Sequence, residues 1–159
     1  MPVPQWAIGA RPPDVLIIAN RNREIYSAYA TTLEDAADCG SGPLAGVATA
    51  LGASNSPWLL TLPVDCPDPP RELLQRLLWA SGSAACAVAY DGTRRQPLFA
   101  LYRHGLAESA KNAAHAGLGP QTWQDQIATV DVDFQDRREH FANLNTSLDF
   151  LAWQTGKDE

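Results

Sequence analysis

The chain has 159 residues, 45% of them hydrophobic, and a formal net charge of −6. That length suits one domain with a substantial core, and the acidic balance argues against general affinity for nucleic acid or an anionic membrane. No apolar run approaches the roughly 18 residues that cross a bilayer, and the first residues lack the basic and apolar regions of a secretory signal.

Residues 1–13, with Pro2, Pro4, Pro12 and Pro13, read as an extended N-terminal arm. Residues 14–154 read as a single domain, and 155–159 as a tail. Asp14–Ala19 is a short, continuous, β-branched run, which predicts a buried strand. Asn20-Arg21-Asn22 ends it in a turn. Glu24 to Ala30 then reads as a short helix, and Thr31-Thr32-Leu33 as a brief strand leading to Glu34-Asp35. Next comes Cys39-Gly40-Ser41-Gly42-Pro43-Leu44-Ala45-Gly46 and an apolar stretch to Ala53. Pro43 suits a first helical position, so this is a loop feeding a helix whose free N–H groups could receive an anion. No Lys-Ser/Thr follows the glycines, so it is not a P-loop. The G-x-G-x-x-x-G spacing is also wrong for a dinucleotide fingerprint.

The stretch Pro57 to Pro70 organises the chain. Trp58 to Leu62 is apolar and bounded by prolines, as in a strand buried on both faces. Asp65 and Asp68 follow, and Pro69-Pro70 open an amphipathic helix, Arg71 to Ala80. Asp68 is placed to cap that helix. Asp65 falls too early to cap it, and lies past the carboxyl end of an inner strand, where α/β sheets bind ligands. A carboxylate there can hold a divalent cation against phosphates.

Ala84 to Tyr90, the turn Asp91-Gly92 and Pro97 to Tyr102 read as an antiparallel hairpin near a sheet edge, where Pro97 is tolerated. Gly105 to Ala116 and Thr122 to Ala128 read as helices. Thr129 to Phe134 alternates as a strand with one polar face. Phe141 to Thr146 leads into a closing helix, Ser147 to Gln154, capped by Asn145 or Thr146. The alternation predicts an α/β three-layer sandwich with a mostly parallel sheet and one antiparallel hairpin. Cys39, Cys66 and Cys86 have no metal spacing and read as reduced thiols, which suits a cytoplasmic protein.

Four patterns coincide in order: Ile17-Ile18-Ala19-Asn20-Arg21-Asn22, Gly42-Pro43-Leu44-Ala45-Gly46, Leu62-Pro63-Val64-Asp65-Cys66-Pro67 and Phe141-Ala142-Asn143-Leu144-Asn145-Thr146. Together they resemble the molybdenum cofactor guanylyltransferase family, over about Asp14 to Gln154. The resemblance implies a Rossmann-like nucleotidyltransferase fold and transfer of GMP from GTP to molybdopterin, with pyrophosphate released. By the resemblance, Asp65 is similar to the family's magnesium- and GTP-binding aspartate, serving as catalytic residue and Mg²⁺ ligand. Asp35 looks like its second GTP-contacting aspartate. Gly42, Pro43 and Leu44 resemble the turn beside the nucleotide, and Asn143 and Asn145 the asparagines near the pterin. Molybdoenzymes or other cofactor-biosynthesis proteins are the implied protein partners.

Family members open with a strand, a glycine-rich loop and a lysine that hold the triphosphate. No stretch of this chain matches them, and Asp14–Ala19 is similar to the family's second strand. The expectation is a truncated domain in which Asp14–Ala19 pairs directly and in parallel with Trp58–Leu62. Two readings stay open: a guanylyltransferase, or a non-catalytic relative that binds molybdopterin or a partner. A hydrolase is disfavoured, because no Gly-x-Ser-x-Gly elbow occurs.

Overall fold

A computed structural model describes residues 15–155. The elements run β1 (Leu16–Ile18), α1 (Arg23–Ser27), β2 (Thr31–Leu33), α2 (Pro43–Ala53), β3 (Trp58–Thr61), α3 (Leu73–Ser81), β4 (Cys86–Tyr90), β5 (Arg95–Arg103), α4 (Ala107–His115), α5 (Pro120–Gln124), β6 (Thr129–Asp133), 3-10 turns within Gln135–Phe141, and α6 (Ser147–Thr155). The predicted arm, residues 1–13, lies outside the described residues, as does the tail beyond Thr155.

The strands form two sheets, β1-β2 and β3-β5-β4-β6. The larger sheet is mixed: β5 is antiparallel to both β3 and β4, while β4 and β6 are parallel. This corrects the expectation of a mostly parallel sheet. The hairpin also sits at the centre of its sheet, not the edge. Pro97 is accommodated by an irregularity: Val88 pairs with Ala100 and Ala89 with Gln96, so residues 97–99 bulge out of register. The Pro97 carbonyl turns to the buried Gln124, whose Nε2 donates to it at 2.8 Å and to Tyr102 Oη at 2.7 Å.

The expected β1–β3 pair does not form. β1 pairs in parallel with β2, Leu16 opposite Thr31, and β3 pairs with β5, Trp58 opposite Arg103. Chain connectivity gives the reason. β2 lies a short crossover away from β1, so closing that loop costs less entropy than reaching β3 some forty residues on. β3 instead finds a nine-residue strand in β5. Among the described residues each of β1 and β3 pairs on one side only, and every residue of both is half-buried, so neither is the doubly buried inner strand that its apolar run predicts.

The core has two halves, one on each face of the large sheet. Because side chains alternate along a strand, Cys86, Val88, Ala100 and Tyr102 join Leu44, Val47, Leu51 and Trp123 on one face. Ala87, Ala89, Phe99 and Leu101 join Leu73, Leu77, Phe134 and Phe141 on the other. Helices thus cover both faces, giving the expected three layers. Phe99, Phe141 and Phe134 stack edge to face, with centroids 4.8 and 5.8 Å apart.

α2 joins the two sheets. It begins at Pro43, as expected, with Gly42 before it at φ 92°, a conformation that glycine supplies without strain. Seven of its residues are buried, from Leu44 to Leu51. Ile18 of β1 and Asp35 lie within van der Waals reach of the helix at Gly46. The buried Thr49 hydroxyl accepts from Ala36 N at 2.9 Å and donates to Ala45 O at 2.9 Å. We expect Thr49→Val, which keeps shape and removes both bonds, to cost about 1–3 kcal/mol by stranding the Ala36 N–H. Urea unfolding reads this as a lowered midpoint at unchanged slope; an unchanged midpoint would show that this bond does not hold the small sheet.

Candidate functional site

Two groups of side chains gather where strands end. The first lies past β1 and β2. Asn20 Nδ2 donates to Asp35 Oδ2 at 2.8 Å, and Asp35 N donates back to Asn20 Oδ1 at 2.9 Å. This reciprocal pair fixes the Asp35 carboxylate beside the first turns of α2. Gly42 and Pro43 are exposed at that helix start; Pro43 carries no N–H, so an anion there would meet the N–H of Gly42. Leu44 differs from the sequence reading in one respect. The whole residue is 1% exposed and packed in the core, so Leu44 supports the turn from behind rather than facing a ligand.

The second group is the loop after β3. Asp65 lies on it, half-buried, and its carboxylate has no hydrogen bond or ion pair among the described residues. The loop is tied to the 140–144 segment by three bonds. Leu144 N donates to Asp65 O at 2.8 Å, the Cys66 thiol to His140 O at 3.1 Å, and His140 Nδ1 to Asp68 O at 2.9 Å. Phe141, seated among Phe99 and Phe134, anchors that segment to the core. Burial, helped by the neighbouring carboxylates of Asp65 and Asp68, pushes the Cys66 thiol up to about 11, so it stays protonated and keeps donating at neutral pH. Asn143 and Asn145 are exposed on the tied segment, which brings them to the Asp65 loop.

Asp68 does not cap the following helix. That helix starts at Leu73, with Glu72 at the cap position, two residues later than predicted. Asp68 instead lines a cleft of about 360 Å³ with Arg71, Glu72, Arg137 and His140. A second cleft of about 600 Å³ lies between β2, α2 and α4, rimmed by Arg23–Glu34 and Lys111–Asp38 ion pairs. Asp65 lines neither. Among the described residues no group of three or more His, Cys, Asp or Glu side chains is arranged to hold a metal. No described helix is long and apolar enough to cross a membrane.

Known proteins resemble this chain in sequence and fold. The family model of the MobA-like NTP transferase domain matches residues 7–130. The molybdenum cofactor guanylyltransferase of Shewanella loihica is 39% identical over 136 residues, covering 83% of this chain and 69% of the relative. That of Shewanella piezotolerans is 36% identical over 137 residues, covering 84% and 67%. The chain belongs to the molybdenum cofactor guanylyltransferase family. The solved structure of molybdopterin-guanine dinucleotide biosynthesis protein A from Archaeoglobus fulgidus matches with a TM-score of 0.73 at 19% identity, over 93% of this chain and 81% of that one. A Thermus thermophilus 2-C-methyl-D-erythritol 4-phosphate cytidylyltransferase matches at 0.69 and 19%, over 98% and 88%. At that identity the two structures establish the nucleotidyltransferase-like fold.

Within this guanylyltransferase-family frame, sequence reasoning missed Asn20, Arg71, Arg137 and His140 as parts of the site region. Asn20 had a signal, a polar side chain directly after a strand. Arg137 and His140 had none, because their contacts span 65 and 72 residues, and Arg71 read only as the start of an amphipathic helix.

Of the two N-cap candidates for α6, the structure selects Thr146. Asp149 N donates to Thr146 Oγ1 at 3.1 Å while Asp149 Oδ2 accepts from Thr146 N at 2.8 Å and Asn145 N at 3.1 Å, a capping box. The Asn145 side chain takes no part. The Thr146 hydroxyl holds the Asp149 carboxyl below its ordinary value. A depressed carboxyl contributes above its unfolded pKa of about 4 and is lost as pH falls through the lower folded value. We expect Thr146→Ala to cost α6 about 1 kcal/mol, Asn145→Ala far less, and acid to narrow the difference without erasing it, because the Asp149 N–H bond to Thr146 Oγ1 survives protonation. Amide exchange of α6 near neutral pH and carboxyl NMR titration measure both; equal protection in the two variants would rule out the box.

Proposed function

We propose that this chain binds GTP and molybdopterin and joins GMP to the phosphate of the pterin, releasing pyrophosphate. The observation that carries this reading is the Asp65 carboxylate, past the end of β3, half-buried, without a partner among the described residues, on a loop fixed by three bonds. Such a group is poised for a ligand that the described residues do not supply. Nucleotidyl transfer asks for this sort of preorganisation, since it needs positioning and charge neutralisation more than covalent catalysis.

The donor set fits Mg²⁺ as a partner brought in with a nucleotide. Mg²⁺ is held by one or two carboxylates plus phosphate and water oxygens, so a single free carboxylate suits it and a cage of three ligands is not required. Asp65 would hold the ion, which when bound neutralises charge on the phosphates. Asp35, oriented by Asn20, would accept hydrogen bonds from the nucleotide. The exposed backbone at Gly42 and Pro43, with the buried Leu44 behind it, would approach its anionic or sugar groups. Asn143 and Asn145 each offer a donor and an acceptor, which suits the mixed edge of a pterin. A cytoplasmic setting and contact with molybdoenzymes or other cofactor-biosynthesis proteins belong to the same proposal.

A second reading, binding without transfer, is favoured by Lys111. It is ion-paired to Asp38 and so is not an open cation for a triphosphate. One experiment tests both. Titration calorimetry with GTP is expected to show Mg²⁺-dependent binding that Asp65→Ala abolishes, while melting stays within roughly ±0.5 kcal/mol of wild type. Equal binding by the variant would remove Asp65 from the site. Pyrophosphate release on adding molybdopterin separates the enzyme from the binding relative.

A further inference from the structure

The cleft beside the Asp65 loop has a chemistry that its charge count hides. Its lining carries two carboxylates, on Asp68 and Glu72, against Arg71, Arg137 and His140. Glu72 is already engaged: Arg137 Nε reaches its carboxylate at 2.7 Å and Arg76 Nη2 at 3.4 Å. Asp136, next to Arg137, is engaged as well, with Arg76 donating to both of its oxygens at 2.7 Å. That pairing holds the Asp136 carboxyl down at about 2, so it remains a committed anion at any ordinary pH.

The donors are not used up in the same way. Arg71 is exposed at the mouth, and among the described residues its guanidinium has no hydrogen-bond or ion-pair partner. Arg137 spends Nε on Glu72 and Nη1 on Asp136, leaving Nη2 without a described partner. His140 donates through Nδ1 to the Asp68 carbonyl, so in the neutral ring its Nε2 is an acceptor and adds no donor to the cleft. The cleft therefore presents unspent guanidinium donors beside one carboxylate, Glu72, that is already paired, and a second, Asp68, whose Oδ2 lies 3.6 Å from His140 Nδ1. A metal cation would meet Arg71 first. An anion would meet open donors on two guanidiniums, whose planar forks suit a phosphate. The volume of about 360 Å³ is roughly a dozen times the ~30 Å³ share of a water molecule, ample for a phosphate and the start of an organic group.

We infer that this cleft seats a phosphate monoester, and that its occupant is the phosphate of the acceptor substrate. The assignment of the occupant rests on the proposed function. In that reaction an acceptor phosphate oxygen attacks the α-phosphorus of GTP, forming one P–O bond. The bond to the β-phosphate breaks, and pyrophosphate departs with the electron pair. Acceptor and metal-binding carboxylate must then share a neighbourhood. Asp68 lies on the Asp65 loop and lines the cleft, and His140 touches both the cleft and that loop. The feature needs no group from the nucleotide side of the site.

Titration of the full chain with inorganic phosphate, in buffer free of Mg²⁺, tests the inference. Wild type is expected to show saturable binding that weakens with added salt. Arg71→Ala removes an exposed side chain without described partners, so it should fold, and it should bind phosphate about tenfold more weakly. Asp65→Ala should bind phosphate like wild type. Absence of saturable binding, or an Arg71→Ala protein that binds as well as wild type, would overturn the site. If Arg71→Ala weakens GTP·Mg²⁺ as much as it weakens phosphate, the cleft holds the nucleotide's tail, and the acceptor assignment is wrong. If phosphate binds in this Arg71-dependent way but GTP·Mg²⁺ binds to no variant, the anion site stands and the proposed reaction falls.

Discussion

The structure depends on the burial of α2. Two sheets that share no backbone hydrogen bonds among the described residues both rest on this helix. Its sequence is almost wholly small and apolar, so it can be covered all round. Thr49 is the exception, and its hydroxyl meets one of the few polar demands that such a junction creates, the Ala36 N–H. The same helix brings Gly46, one turn after its Gly42-Pro43 start, against Asp35. Packing and site geometry therefore have one origin.

Much of the architecture was legible. Pro43 marked a helix start because a missing N–H costs nothing there, and the β-branched run at Leu16–Ile18 marked a strand. Apolar runs do not name their partners, however. Trp58–Thr61 reads the same beside a parallel neighbour as beside the antiparallel β5. Only tertiary geometry chose the latter, and with it the mixed sheet. The bulge at Pro97 was hidden for a similar reason, since proline forbids a ladder bond but does not say whether an edge or a bulge resolves the problem.

The candidate site divides along the same line. Asp65 was visible because a carboxylate directly after an apolar strand has few structural uses. What fixes it was not visible: Leu144 N, the Cys66 thiol and the His140 ring bond the loop to a segment far along the chain, and each bond ends on a backbone carbonyl that any sequence possesses. At α6 both Asn145 and Thr146 were plausible caps by type. The deciding residue was Asp149, three positions after Thr146, which completes the reciprocal pair.

The β1–α1–β2 unit has a consequence for affinity. It spans residues 16–33, contains no buried residue in its helix, and pairs through three-residue strands. Elements so local and so lightly packed open at lower free energy than the core they lean on. Asp35 hangs from the end of that unit. A nucleotide gripping Asp35 and the α2 start would thus fasten the small sheet to the large one. Part of its binding energy would be spent on suppressing motion, and tight binding would be felt as rigidity at residues that never touch the ligand.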